Sequence, residues 1–211
     1  MTDLRILNQG LVPYEAAWEF QKKTHASRLA GESPDTLILL EHPPVYTFGK
    51  NADRTNLIDP KDAEVIQSDR GGDITWHGPG QLVGYPILNL EDHKKSVSWY
   101  MRNLEEVIIK TLGQFDIEGG RVSGMTGVWV GDQKVCAMGV RLSRWVTMHG
   151  FALNVGPDMS YFHGMIPCGI KGKGVVSMNE LLKTELDMQE VITPLVKAFQ
   201  TVFAFDNILD D

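Results

Sequence analysis

The stretch Val128-Trp129-Val130-Gly131-Asp132-Gln133-Lys134-Val135-Cys136-Ala137-Met138-Gly139-Val140-Arg141-Leu142 decides how the chain is read. Two runs of alternating apolar residues flank Gly131-Asp132-Gln133, which has the composition of a hairpin turn. A third strand-like run over 145–155 follows directly, with no helical pattern in between. Upstream, residues 36–41, 45–48, 64–70 and 82–90 carry the same short, β-rich character.

Helical spacing is confined to separate places. Tyr14, Ala17, Trp18 and Leu29 share one face of a helix from Tyr14 to Ala30, with Gly31 as its stop. Val97, Tyr100, Met101, Leu104, Val107, Ile108, Leu112 and Phe115 hold a three–four spacing behind Ser96, a predicted N-cap. Ser177 with Glu180 and Asp187 with Glu190 form two capping-box patterns, and Pro194 predicts a late start or a kink in the second helix. Helices thus stand between blocks of several strands rather than after each strand. This order predicts an α+β fold of mixed and antiparallel sheets with flanking helices, not a doubly wound parallel sheet.

With 211 residues, 43% of them hydrophobic, the chain has material for one core, and a single domain over 1–211 is expected. Its formal charge of −7 argues against a nucleic-acid partner. The longest aliphatic run, Leu37 to Leu40, is far short of the ~20 residues of a membrane span. Two cysteines, Cys136 and Cys168, give no disulfide framework. No basic-then-apolar leader opens the sequence, so a cytoplasmic protein with no membrane partner is expected.

Three segments carry candidate chemistry. Arg70 to Gln81 is glycine-rich; with Gly84 it places five glycines in fifteen residues, suited to a tight turn or to backbone contact with a ligand. It matches neither the dinucleotide fingerprint nor the P-loop. Of the two cysteines, Cys136 alternates within an apolar strand and reads as a buried hydrophobe. Cys168 sits in a Pro-Cys-Gly segment near His163, Lys171 and Lys173, where neighbouring cations can turn a loop thiol into a nucleophile. The spacing of cysteine and histidine does not support a zinc site, and no metal is expected. Lys134, opening a strand, reads on its own as a solvated side chain, and His77 and His149 as hydrogen-bonded histidines of the interior. The glycine- and proline-rich stretch 156–174 is predicted to be a functional or disordered loop.

Together these motifs resemble the lipoyl(octanoyl) transferase family. The resemblance rests on Glu41-His42-Pro43-Pro44-Val45-Tyr46-Thr47, Arg70-Gly71-Gly72 through His77-Gly78-Pro79-Gly80-Gln81, Lys134 to Gly139, Thr147 to Val155, and Ile166-Pro167-Cys168-Gly169-Ile170, in the family's order. It implies the fold of the biotin and lipoate protein ligase catalytic domains. It also implies transfer of an octanoyl group from octanoyl-acyl carrier protein to a lysine of lipoyl domains. The acceptors would be the 2-oxo acid dehydrogenase complexes and the glycine-cleavage carrier protein, and no cofactor is implied.

Carried onto this chain, the resemblance makes Cys168 the thioester nucleophile and Lys134 the residue that lowers its pKa. Substrate-lining roles fall on Arg70, Gly71, Gly72, Asp73, Ile74, Thr75, Trp76, His77, Ala137, Met138, Gly139, Gly150, Phe151 and Ala152. Three positions depart from the family's usual residues: Trp76, Cys136 and Val176. Arg141, Arg144, Lys171 and Lys173 are candidates for docking an acidic carrier protein.

Overall fold

The computed structural model describes residues 2–166 and 173–210. In chain order these form β1 (Asp3–Leu11), α1 (Tyr14–Ala30), β2 (Asp35–Glu41), β3 (Val45–Phe48), β4 (Glu64–Gln67), β5 (Ile74–His77) and β6 (Gln81–Ile87). They continue with α2 (Val97–Gly113), β7 (Gly120–Val122), β8 (Met125–Val130), β9 (Gln133–Ser143) and β10 (Val146–Asn154). The chain closes with β11 (Gly174–Val175), α3 (Met178–Leu182), α4 (Met188–Phe203) and β12 (Asn207–Asp210). Among the described residues there is no helix long and apolar enough to cross a membrane.

A nine-stranded sheet runs β12-β1-β2-β6-β10-β9-β8-β7, with β11 added alongside β9. Pairings at the β12-β1-β2 end are parallel; from β2 across to β7 they are antiparallel. A separate three-stranded sheet, β4-β3-β5, combines one parallel and one antiparallel pair. The mixed α+β architecture is the predicted one.

The large sheet is covered on both faces, which is why β2 reads as a continuous apolar run. Leu37 and Leu39 pack towards α2 and α4, in a core that includes Leu104, Ile108, Leu195 and Phe199. Ile38 and Leu40 turn to the other face, with Val83, Tyr85 and Ala17 of α1. The small sheet has its own core, in which Trp76 stacks on Tyr161 at 4.9 Å.

Local signals set the helix ends. Ser96 accepts from the Trp99 N–H, Gly31 takes the left-handed cap with φ 75°, and both capping boxes close reciprocally at Ser177–Glu180 and Asp187–Glu190. Several boundaries differ from expectation. The helix containing Pro194 starts at Met188, ahead of the proline. The strand expected over 64–70 stops at Gln67, because the chain turns there so that Arg70 can enter the interior. Strand β5 lies inside the glycine-rich segment, and β1, β7 and β12 carry alternation too weak or too short to be read from sequence.

Candidate active site

The antiparallel pairing of β9 with β10 sets Ala137 opposite Ala152 and Gly139 opposite Gly150. These small residues form a floor. Over it lies a cleft walled by Gly72, Asp73, Ile74, Thr75 and His77 from the glycine-rich segment and β5, and by Arg70, Met138 and Phe151. Two glycines are required by close approach. A Cβ on Gly139 would come within 2.9 Å of the Gly71 carbonyl oxygen, and one on Gly150 within 2.2 Å of the Gly84 carbonyl oxygen. The backbone of Gly71 is tied down on this floor through its N–H to Val140 O at 2.9 Å.

Lys134 lines the cleft as well, and a break in β-alternation puts it there. Strand β8 pairs Val128 with Cys136 but Trp129 with Lys134, leaving Val135 as an extra residue. Val135 and Cys136 both enter the core beneath α2, and the pleat is shifted by one residue. Lys134 therefore joins Ala137 and Gly139 on the cleft, where strict alternation would have opposed them. Its ammonium lies 4.8 Å from the centre of the Trp129 ring, a cation–π contact. The solvated lysine expected from its strand position is instead half-buried.

Lys134 also borders a second, open groove of about 1070 Å³ lined by Met101, Met125, Met138 and Gly124, which shares Gly72 and Gly139 with the first cleft. Strand β11 runs parallel to Gln133–Lys134, and the Val176 N–H donates to Lys134 O at 3.0 Å. Upstream, Ile166 N–H donates to Asn56 O at 2.8 Å. Cys168, the predicted nucleophile, falls outside the described residues, as does Lys171. The remaining cysteine is unsuited to chemistry: Cys136 is buried, its thiol is pushed well up by loss of solvent, and its Sγ lies 3.6 Å from Ala137 O.

The opposite end of the cleft is polar and aromatic, built from Tyr14, His77, Tyr85 and His149. His149 is 1% exposed and adopts φ 56°, an uncommon conformation for a non-glycine residue in mid-strand. Alternation would place it with Thr147 and Phe151; its ring instead sits against Trp18 and Tyr85 on the α1 face. Nε2–H donates to Asp69 at 2.7 Å, and Arg141 pairs with the other Asp69 oxygen. Hydrogen bonding from His149 lowers the Asp69 carboxyl, while burial lowers the His149 imidazole, so the ring is neutral and its Nδ1 is an acceptor. Nδ1 is buried and has no protein partner.

The other rings at this end are tied back into the fold. Tyr14 shares a hydrogen bond with Ser68 at 2.8 Å. The Tyr85 hydroxyl donates to His42 Nε2 at 2.7 Å, and His42 Nδ1–H donates to Val12 O at 2.6 Å. Burial depresses His42 to about 4 and pushes His77 well below the ordinary histidine range too. His77 Nδ1–H donates to Gln81, whose amide in turn donates to Asn154. Arg70, buried beside them, gives Nη2 to Thr47 O at 2.6 Å and Nη1 to Gly71 O at 3.0 Å.

Twelve of the fourteen residues predicted to line a substrate site border this cleft. Gly71 borders the second groove instead, and Trp76 is wholly buried behind β5 in the small sheet's core. Tyr14, Tyr85 and the Asp69–His149 pair were not among them. For Tyr14 the signal was spent on its helix face, and His149 meets Tyr85 and Asp69 across 64 and 80 residues of sequence. Val176 packs in the core by its side chain and holds Lys134 and Asn154 through its backbone. Of the candidate docking cations, Arg141 pairs with Asp69 and Lys173 with Asp132; Arg144 is exposed at the β9–β10 turn.

Residues 13–200 match the lipoyl protein ligase A/B catalytic domain. The chain is 48% identical over 200 residues to the octanoyltransferase of Gloeobacter violaceus, covering 94% of this chain and 89% of that one. Its fold is shared with the bipartite lipoate protein ligase of Thermoplasma acidophilum (TM-score 0.78, 14% identity, 100% of this chain and 87% of that chain). It is also shared with the biotin protein ligase of Aquifex aeolicus (TM-score 0.55, 15% identity, 96% and 69%). The family match and the near-full-length kinship make the chain an acyltransferase belonging to the octanoyltransferase branch of the lipoyl protein ligase A/B catalytic domain family.

Proposed function

We propose that the protein moves an octanoyl group from octanoyl-acyl carrier protein to a lysine of a lipoyl domain through a thioester on Cys168. The observation that carries the reading is the cleft itself: a floor of alanine and glycine suited to a straight alkyl chain, with the Lys134 ammonium lining it.

In the first step the Cys168 thiolate attacks the donor's thioester carbonyl, the C–S bond to the carrier's arm breaks, and the arm leaves as a thiol after taking up a proton. One thioester replaces another, so the exchange is nearly balanced and needs no nucleotide. A charge beside the thiol favours its ionised form, and Lys134 supplies that charge. In the second step the acceptor lysine's neutral amine attacks the acyl-enzyme, the amide C–N bond forms, and the Cys168 sulfur departs. The amine's proton passes to Lys134 or to the departing thiolate. The methionine-lined groove that meets the cleft at Lys134 suits the slender arm that both carriers present.

The octanoyl chain gains about 0.8 kcal/mol for each methylene taken out of water, some 5 kcal/mol in all. That is enough to hold the donor while the thioester exchanges. Acceptors are lipoyl domains of 2-oxo acid dehydrogenase complexes and the glycine-cleavage carrier protein, and the reaction belongs to the cytoplasm.

Intact mass spectrometry of the protein mixed with octanoyl-acyl carrier protein, without ATP, tests this reading. The expected result is a gain of one octanoyl group, absent in Cys168→Ala and discharged by an added lipoyl domain. Modification of the lipoyl domain only when ATP and free octanoate are supplied would overturn it in favour of a ligase. Tight binding of carriers with no turnover would overturn it in favour of a carrier-binding protein.

A further inference from the structure

We infer that Trp129 is a positioning residue of the site: its indole face holds the Lys134 ammonium where the transfer chemistry uses it. The inference rests on the octanoyl-transfer reading, in which Lys134 is the working cation, and goes beyond it by naming what aims that cation.

The irregularity that turns Lys134 onto the cleft also sets it against this ring. Had β8 and β9 kept the register of Val128 with Cys136, Trp129 would stand opposite Val135; the extra residue puts Lys134 there instead. Residues directly opposite in an antiparallel pair share a face, with Cβ atoms about 5 Å apart, so the indole and the lysine stem are neighbours by construction. On the other side of Trp129 the register places Gly120, which has no side chain to crowd the ring.

The lysine is confined along its length. Its carbonyl accepts from the Val176 N–H at 3.0 Å, and Val175 pairs with it across β11. Its stem passes Gly127, where an added Cβ would stand 3.5 Å from Lys134 Cε. The ammonium then ends 4.8 Å from the centre of an indole that is itself only 3% exposed.

An indole does something here that a carboxylate would not. Cation–π attraction fixes an ammonium without cancelling its charge, so the full positive charge stays available to a thiolate or a tetrahedral oxyanion. Carboxylates on the adjoining segments are engaged elsewhere, Asp132 by Lys173 and Glu105 by Arg102 and Arg121. Among the described residues Lys134 forms no ion pair, and the contact its ammonium makes is the ring. Lys173 approaches the same ring at 5.6 Å, so experiment has to separate the two cations.

The test compares Trp129→Leu, Trp129→Phe and tetrafluorotryptophan placed at position 129 alone, each in the wild type and in Lys134→Ala. Single-turnover loading from octanoyl-acyl carrier protein is read by intact mass. Tetrafluorotryptophan keeps the shape of the indole but withdraws the negative potential of its face, so a merely structural role would not register it. At saturating donor, Trp129→Leu and the fluorinated ring should each slow loading by about 5- to 30-fold, the rate equivalent of a cation–π contact in a partly desolvated site, with Trp129→Phe between them and the wild type. In Lys134→Ala the same three changes should cost nothing further, because the ring acts through that lysine. Unaltered loading by the fluorinated protein would overturn the assignment. An equal loss in both backgrounds would also overturn it, moving the effect to Lys173 or to the fold. Should Trp129→Leu not fold, the fluorinated ring still decides. If the wild type loads no acyl group, it is the transfer reading that falls, and the placement is read by NMR instead: the Lys134 ε-methylene protons should be shifted upfield by the ring current of Trp129. A signal at the free-lysine position would overturn the placement itself.

Discussion

The two ends of the cleft are built on opposite plans. At the Lys134 end Lys134 and Lys173 both stand over the Trp129 indole beside an open groove, and β11 pairs with the Lys134 backbone. At the His149 end every ring is buried and nearly every polar atom is committed to a partner inside the fold. One end leaves a charge available to reacting groups; the other leaves almost nothing available. The contrast separates chemistry from shape: changes at the first end should alter rate with little effect on stability, and changes at the second should alter stability.

The largest effect is expected from Cys168→Ala, which should abolish the acyl-enzyme and lower transfer by at least about a thousandfold with an unchanged melting temperature. An unreduced rate would remove the covalent route altogether. Lys134→Ala should slow transfer by about 10²- to 10⁴-fold, the range for loss of a positioned acid–base group. Lys134→Arg sharpens the comparison, since it keeps the charge yet accepts no proton: stopped-flow loading should recover in part while discharge onto a lipoyl domain stays slow. Normal discharge in that variant would exclude Lys134 as the base.

Stability should respond at the floor and at the polar end. Gly150→Ala drives a methyl into the Gly84 carbonyl at 2.2 Å and should lower stability by about 2–4 kcal/mol in chemical denaturation. His42, held neutral to about pH 4 in the folded protein against about 6.5 when unfolded, gives the acid dependence its sign. Below pH 6.5 the unfolded chain binds a proton that the folded one refuses, so stability falls as pH drops from 6.5 to 4, by up to about 3 kcal/mol from this residue. His42→Gln should flatten that limb, and a slope unchanged by the substitution would place the acid sensitivity elsewhere. The smallest effect is expected at Ser177→Ala, where loss of the capping box after β11 should cost about 1 kcal/mol, measured by thermal melting, with little change in rate.

Legibility in the sequence followed the range of the forces involved. The helix ends at Gly31, Ser96, Ser177 and Asp187 are local hydrogen-bonding devices, written within a few residues, and they were readable. The strands bordering the Gly131-Asp132-Gln133 turn were readable for the same reason. Strand β5 was hidden among glycines because its pairing with β3 is a tertiary matter, and β12 because its partner β1 lies at the far end of the chain. Gln21, polar and fully buried on α1, carried no apolar signal to mark it as facing the interior.

The site divides in the same way. Residue types and motif order were enough to identify the family, the acyl-transfer chemistry and most of the cleft lining, because these depend on which side chains and glycines occur in sequence. Direction was decided only by packing. Lys134 reaches the cleft because Val135 is bulged out of register against β8, and His149 turns towards α1 because its backbone crosses into the left-handed region. Both departures run against the two-residue period of a strand, the one rule by which a sequence tells which way a β side chain points. They persist because the surrounding core holds them, with Val135 and Cys136 packed beneath α2 and His149 gripped by Asp69 and Gln21.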